Sequence, residues 1–102
     1  MVGGLTKVAG KDELAAGQSI LVEVHGQKIA VFNTGDGYYA IDDTCSHRGG
    51  PLSQGQVDGC AVTCPWHGAR FDLRTGNVLT PFGKDLATYK VVLEGEDIKI
   101  EV

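Results

Sequence analysis

An all-β protein of antiparallel sheets is what this sequence predicts, on three observations. Glycine is abundant, at 15 of 102 residues, about twice its average usage, as a chain with many tight turns requires. Short runs rich in β-branched and aromatic residues recur along the chain, each bounded by a glycine-containing turn. Only residues 11–16, ended by Gly17, have helical character, and they are too few for more than a turn or two.

Taken in order, residues 19–24 (SILVEV) form a first strand that His25-Gly26-Gln27 turns. Residues 28–33 follow, Gly35-Asp36-Gly37 turns the chain again, and residues 38–41 complete an antiparallel meander. Residues 43–52 break the pattern, because Arg48-Gly49-Gly50-Pro51 suits neither a helix nor a central strand. Residues 56–57 and 60–63 read as a hairpin around Asp58-Gly59. Residues 69–72 and 77–79 form another around Arg74-Thr75-Gly76. Residues 88–93 and 98–102 form the last, and its second strand alternates apolar and charged residues as a half-solvated strand should. The expected organisation is a single domain. A base formed by residues 1–42 and 73–102 carries an inserted loop subdomain at about 43–72.

Length and composition fit one domain with a modest core: 102 residues, 42% of them apolar. The net charge of −4 argues against a nucleic-acid partner, which calls for a basic surface. It fits equally a protein steered onto a basic patch of a partner and simple solubility. No stretch is long and apolar enough to span a membrane. Residues 1–7 lack the basic and apolar regions of a signal peptide. Three cysteines do not make a disulfide framework, and they fit a reducing cytoplasm as metal ligands plus a spare.

The chemistry-bearing residues are two pairs, Cys45-Ser46-His47 and Cys64-Pro65-Trp66-His67. Thiolates and imidazoles together suit soft or borderline metals. Two of each can hold a [2Fe–2S] cluster in which histidine replaces cysteine on one iron, with Cys45 and Cys64 on one iron and His47 and His67 on the other. The glycines at 49, 50 and 68 permit close backbone approach, and amides there are expected to hydrogen-bond the bridging sulfides. A Cys₂His₂ zinc site uses the same ligands, though zinc sites usually pair cysteine with cysteine and histidine with histidine. Cys–His nucleophilic catalysis is a weaker alternative, since it does not explain two matched pairs.

The stretches Cys45-Ser46-His47-Arg48-Gly49-Gly50-Pro51-Leu52 and Cys64-Pro65-Trp66-His67-Gly68-Ala69-Arg70-Phe71-Asp72 resemble the two cluster-binding loops of Rieske ferredoxins, the small carriers that feed bacterial aromatic-ring dioxygenases. Gly76-Asn77-Val78-Leu79 and Pro81 extend the resemblance to a third loop that covers the cluster in that family. The resemblance implies a Rieske-type iron–sulfur fold with one [2Fe–2S] cluster per chain, held by Cys45, His47, Cys64 and His67. It implies a one-electron carrier between an NAD(P)H-dependent flavin reductase and a terminal oxygenase, with no catalysis of its own. Respiratory Rieske proteins have two further cysteines, and a serine and a tyrosine whose hydroxyls raise the potential. Gly50, Trp66, Ala69 and Phe71 stand at those places here, which implies a potential low in the Rieske range. Runner-up readings are a small Rieske subunit of another oxidoreductase, such as an assimilatory nitrite reductase, a redox sensor, and a zinc-stabilised β interaction module.

Other residues read as structural. Cys60, alternating with Val62, is expected to be a small buried hydrophobe. Trp66 is expected to pack the cluster loop against the base. His25 is a solvated turn residue, and Asp42 and Asp43 are loop-entry residues. Phe32, Tyr38, Tyr39 and Tyr89 belong to strands and core. Arg48 and Arg70 flank the expected ligands and are placed to guide docking, or are ordinary loop charges.

Overall fold

The computed structural model describes residues 4–46, 49–66 and 68–101. It is a stack of three antiparallel sheets. The middle sheet has the order β2-β3-β4-β8: Ser19–Val24, Gln27–Asn33, Tyr38–Asp42 and Thr88–Tyr89. On one face lies the sheet β1-β10-β9, made of Leu5–Gly10, Asp97–Glu101 and Val91–Glu94. On the other lies β5-β6-β7, made of Gln56–Asp58, Ala61–Thr63 and Arg70–Asp72.

The stacking follows from β3. Its segment Ile29-Ala30-Val31-Phe32 is fully buried, so both faces of this antiparallel strand are covered. Period-2 geometry sends the four side chains to alternate sides. Ile29 and Val31 join Leu14, Ala40, Ile98 and Ile100 in one core. Ala30 and Phe32 join Ile41, Leu52, Val62, Phe71 and Leu73 in the other, which also contains both Cys45 and Cys64. The candidate ligand loops thus stand on a packed core of their own.

The expected meander is present, with Ser19 paired to Phe32 and Phe32 to Tyr39. His25 and Gly26 both have positive φ, 52° and 80°, the geometry of a two-residue type I′ turn. The β5–β6 turn lies one residue later than expected. Asp58 pairs with Ala61, so Gly59 and Cys60 form the loop, with only Gly59 at positive φ (62°), as a type II′ turn requires. Residues 77–79 form a minimal partner for β7, through a Phe71–Val78 bridge and a hydrogen bond from Leu79 N to Arg70 O (2.8 Å).

One strand has no counterpart in the sequence reading and one expectation fails, both for physical reasons. β1 carries a bulge between Lys7 and Ala9 that shifts its register against β10. Residues 88–93 are not one strand: Tyr89 pairs with Ala40 in the middle sheet, whereas Val91 pairs with Ile100 in the outer one. The chain changes sheet at Lys90, and an alternating apolar pattern looks the same whether one sheet or two receives it. The helical stretch reduces to a 3₁₀ turn, Lys11–Glu13.

The change of sheet is held by Asp42 and Tyr89. The Tyr89 hydroxyl donates to Asp42 Oδ1 at 2.6 Å and lies 3.4 Å from Gln27 Oε1. Asp42 Oδ2 accepts from Ala87 N at 3.3 Å. Burial first, then the hydrogen bond to Asp42 and its negative charge, push the Tyr89 hydroxyl up to about 12. An unfolded chain gives up that proton near pH 10. The contact's contribution is therefore complete below about pH 10 and is lost as pH rises through the folded value. Tyr89→Phe is expected to lower stability at neutral pH by about 1 kcal/mol and to flatten the alkaline decline. Urea unfolding at several pH values measures both, and a variant whose alkaline decline matches the parent's refutes the assignment.

Candidate metal centre

The two cysteines head matching turns. In the first, Cys45 N donates to Gly50 O (2.9 Å) and Gly49 N to Cys45 O (2.8 Å). In the second, Cys64 N donates to Ala69 O (2.7 Å) and Gly68 N to Cys64 O (3.2 Å). The glycine four residues past each cysteine has positive φ, 78° at Gly49 and 80° at Gly68, a conformation that favours glycine. These two amides close their turns on the cysteine carbonyls.

Each turn has firm support. The first caps a short ladder in which Thr44 bridges Pro51 and Leu52 N donates to Asp43 O at 2.7 Å. Asp43, only 3% exposed, accepts at Oδ1 from Ser53 N (2.7 Å) and so satisfies the start of a 3₁₀ turn, Leu52–Gln54. The second continues the β6–β7 hairpin past the Thr63–Arg70 pair.

The turns face one another. A methyl placed on Gly50 would lie 2.7 Å from Cys64 Sγ and about 3 Å from the Trp66 ring (3.0 Å to Cγ, 3.1 Å to Cδ2). Cys45 and Cys64 are 3% and 2% exposed and share one core with Ala69 and Phe71, both fully buried. The expected imidazole ligands His47 and His67, and Arg48, lie outside the described residues. Among the described residues no three of His, Cys, Asp and Glu gather around one point. What the described residues contribute is two buried thiols on facing turns, bordered by a glycine with no room for a side chain. That donor chemistry fits the thiolate half of a cluster ligated by two cysteines and two histidines.

Three side chains depart from expectation. Trp66 is 59% exposed; it sits at the tip of the second turn and covers Gly50, not the base. Cys60 is a half-buried turn residue whose sulfur accepts from Arg74 Nη2 at 3.3 Å. That contact raises the Arg74 guanidinium above its ordinary value. Cys60→Ser keeps an acceptor and touches neither turn, so it is expected to leave a loaded protein's visible spectrum unchanged. A changed spectrum would tie Cys60 to the centre. Ser46, to which the motif reading assigns no role, holds the third loop through a hydrogen-bonded pair with Lys84.

Large exposed apolar side chains concentrate here. Trp66, Leu79 and Phe82 belong to the second and third loops, whereas Leu5, Leu21 and Leu93 are spread over three different strands. Arg70 is exposed beside Leu79. A cavity of about 330 Å³ lined by Tyr38, Tyr39, Arg74 and Tyr89 among others includes no residue of either cysteine turn.

Residues 4–90 match the family described as Rieske [2Fe-2S] domain. The ferredoxin component of the naphthalene 1,2-dioxygenase/salicylate 5-hydroxylase systems of a Ralstonia species is 35% identical, over 89% of this chain and 88% of its own length. The ferredoxin component of biphenyl 2,3-dioxygenase from Rhodococcus jostii (strain RHA1) is 36% identical, over 96% of this chain and 92% of its own. Among solved structures, the ferredoxin of carbazole 1,9a-dioxygenase from Nocardioides aromaticivorans IC177 superposes with a TM-score of 0.89 at 33% identity, covering 94% of this chain and 95% of its own. A chain in a complex of reduced oxygenase and oxidized ferredoxin of carbazole 1,9a-dioxygenase gives a TM-score of 0.88 at 31% identity, covering 94% of this chain and 91% of that one.

Proposed function

The chain belongs to the Rieske [2Fe–2S] domain family, and on that premise we propose that it carries single electrons from an NAD(P)H-dependent flavin reductase to a terminal oxygenase in the cytoplasm. Its cofactor is a Rieske [2Fe–2S] cluster, and like its relatives it is an electron-transfer component of a dioxygenase system, not itself a catalyst. Cys45 and Cys64 are the ligands of one iron and His47 and His67 of the other. Residues 43–72 form the cluster-binding subdomain on a base of residues 1–42 and 73–102. The observation that carries the ligand reading is the placing of two buried cysteines on facing, equivalently bonded turns.

The bound group supplies a one-electron couple. The chain holds the two thiols in a packed core and keeps water from them through Leu52, Ala69 and Phe71. Ala69 and Phe71 offer no hydroxyl where respiratory relatives of this family have one, so the reduced, more negative state gains no hydrogen bond there. A potential at the low end of the Rieske range follows, on the order of −150 mV, within reach of a nicotinamide-fed flavoprotein. Trp66, Leu79 and Phe82, with the exposed Arg70 beside Leu79, form the surface a partner meets.

Protein-film voltammetry of the holo protein from pH 6 to 10 tests this reading. The expected result is a one-electron couple near that value, flat around neutrality and falling in alkali as imidazole deprotonation couples to oxidation. NADH with a flavoprotein reductase then reduces the protein, and a terminal oxygenase reoxidises it. A couple well above zero would point to quinol-linked chemistry instead. A redox-silent, properly metallated protein would return the zinc reading.

A further inference from the structure

Ser46, in the first cysteine turn, fastens the third loop to it. Ser46 Oγ donates to Lys84 O at 2.6 Å and accepts from Lys84 N at 2.7 Å. One hydroxyl thus satisfies both backbone groups of a residue that is remote in sequence. Around this contact the loop has little freedom. Gly83 has φ 95°, and a methyl there would lie 3.2 Å from Val78 Cγ2, 3.5 Å from Ser46 Oγ and 3.8 Å from Phe71 Cζ. Behind it Val78 N donates to Asp85 Oδ1 (2.8 Å) and Leu86 N to Gly76 O (2.8 Å). The segment between Thr80 and Lys84 is tied at its far end by Thr80, whose hydroxyl donates to Phe82 O at 2.9 Å. At its near end, Ser46 ties the segment to the first cysteine turn.

We infer that Ser46 is a positioning residue: its hydroxyl latches residues 81–84 across the first cysteine turn and so limits the water that reaches the centre. The inference rests on the reading of Cys45 as a ligand for its redox consequence, but the latch itself is independent of that reading. A latched loop keeps the surroundings of the reduced, more negatively charged state dry, which disfavours that state. Opening the latch admits water and moves the potential upward. It also gives a chelator access. Losing two hydrogen bonds at the surface makes opening more frequent by about tenfold.

The test uses holo protein with Ser46→Ala, Ser46→Thr and Ser46→Val, the last two matched in shape and differing in the hydroxyl. Hydrogen exchange read by mass spectrometry over the peptide spanning 79–86 is expected to quicken by about tenfold in the Ala and Val variants and to stay near the parent in Thr. Cluster loss to a chelator should quicken in parallel and the potential should rise, again with Thr near the parent. If Ser46→Ala takes up no cluster while Ser46→Thr does, the latch is likewise supported. Thr behaving like Ala and Val, or exchange in Ala within twofold of the parent, would overturn it. Altered exchange over 79–86 with an unchanged potential would retain the latch and overturn its redox role. A failure of the electron-carrier reading would appear instead as a missing couple in the parent protein.

Discussion

Gly50→Ala is expected to cost the protein most of its cluster. Gly50 is buried, and its φ lies outside the left-handed region, so alanine brings no backbone strain and the effect is steric alone. The new methyl would stand 2.7 Å from Cys64 Sγ and 3.0 Å from Trp66 Cγ. The indole, 59% exposed, can swing aside, but Cys64, 2% exposed, has nowhere to go. Overpacking of this kind costs about 1–3 kcal/mol, and here the displaced atom is a proposed iron ligand. Iron and acid-labile sulfide per chain should fall well below the parent, and what loads should be released faster to a chelator. The double change with Trp66→Ala separates the two contacts: it removes the indole clash and leaves the sulfur clash, so it should not restore loading. Full occupancy in Gly50→Ala, at an unchanged potential, would show that Cys64 Sγ does not approach Gly50 this closely in the loaded protein.

Gly76→Ala is expected to act on the whole fold. A methyl there would lie 2.1 Å from Leu86 O and 3.0 Å from Thr88 Cγ2, and φ is 76°. Gly76 N donates to Asp72 O at 2.7 Å and Gly76 O accepts from Leu86 N at 2.8 Å, so the residue can neither rotate nor retreat without breaking a link between β7 and the third loop. A left-handed alanine costs about 1–2 kcal/mol and overpacking against backbone about 1–3 kcal/mol more. For a domain of this size the combined loss corresponds to a fall in melting temperature of more than about 10 °C. Gly59→Ala is the control: φ is 62° there too, but nothing lies within 4 Å of the added methyl, so only the conformational part should appear. Equal melting temperatures for the two variants would show that the close approach at Gly76 is not part of the folded protein.

Local chemistry was readable in the chain, and long-range pairing was not. The meander announced itself because apolar runs meet turn residues that admit one hairpin geometry, as at His25-Gly26. The two cysteine motifs stood out because the ligand types and the glycines that follow them are local in sequence. The change of sheet at Lys90 left no trace, since each half of residues 88–93 is correctly patterned for its own sheet. β1 was hidden by its bulge. Trp66 was expected to be buried because aromatic residues usually are, but at a turn tip opposite a glycine the indole finds cover on one face only. Ser46 was illegible for a different reason: a serine that bonds a distant backbone is the same letter as one that bonds water.

The equivalence of the two cysteine turns bears on speed. Both are closed by hydrogen bonds between their own peptide groups, which resist change in the geometry around the thiols when the charge between them changes. Gain or loss of an electron then alters charge with little accompanying movement of atoms, and a preorganised setting of this kind has small reorganisation to perform at the moment of transfer. Exchange with a partner is in that case limited by how near the two redox centres can be brought. The exposed side chains of Trp66 and Phe82, on the face proposed to meet a partner, then help to set a tunnelling distance.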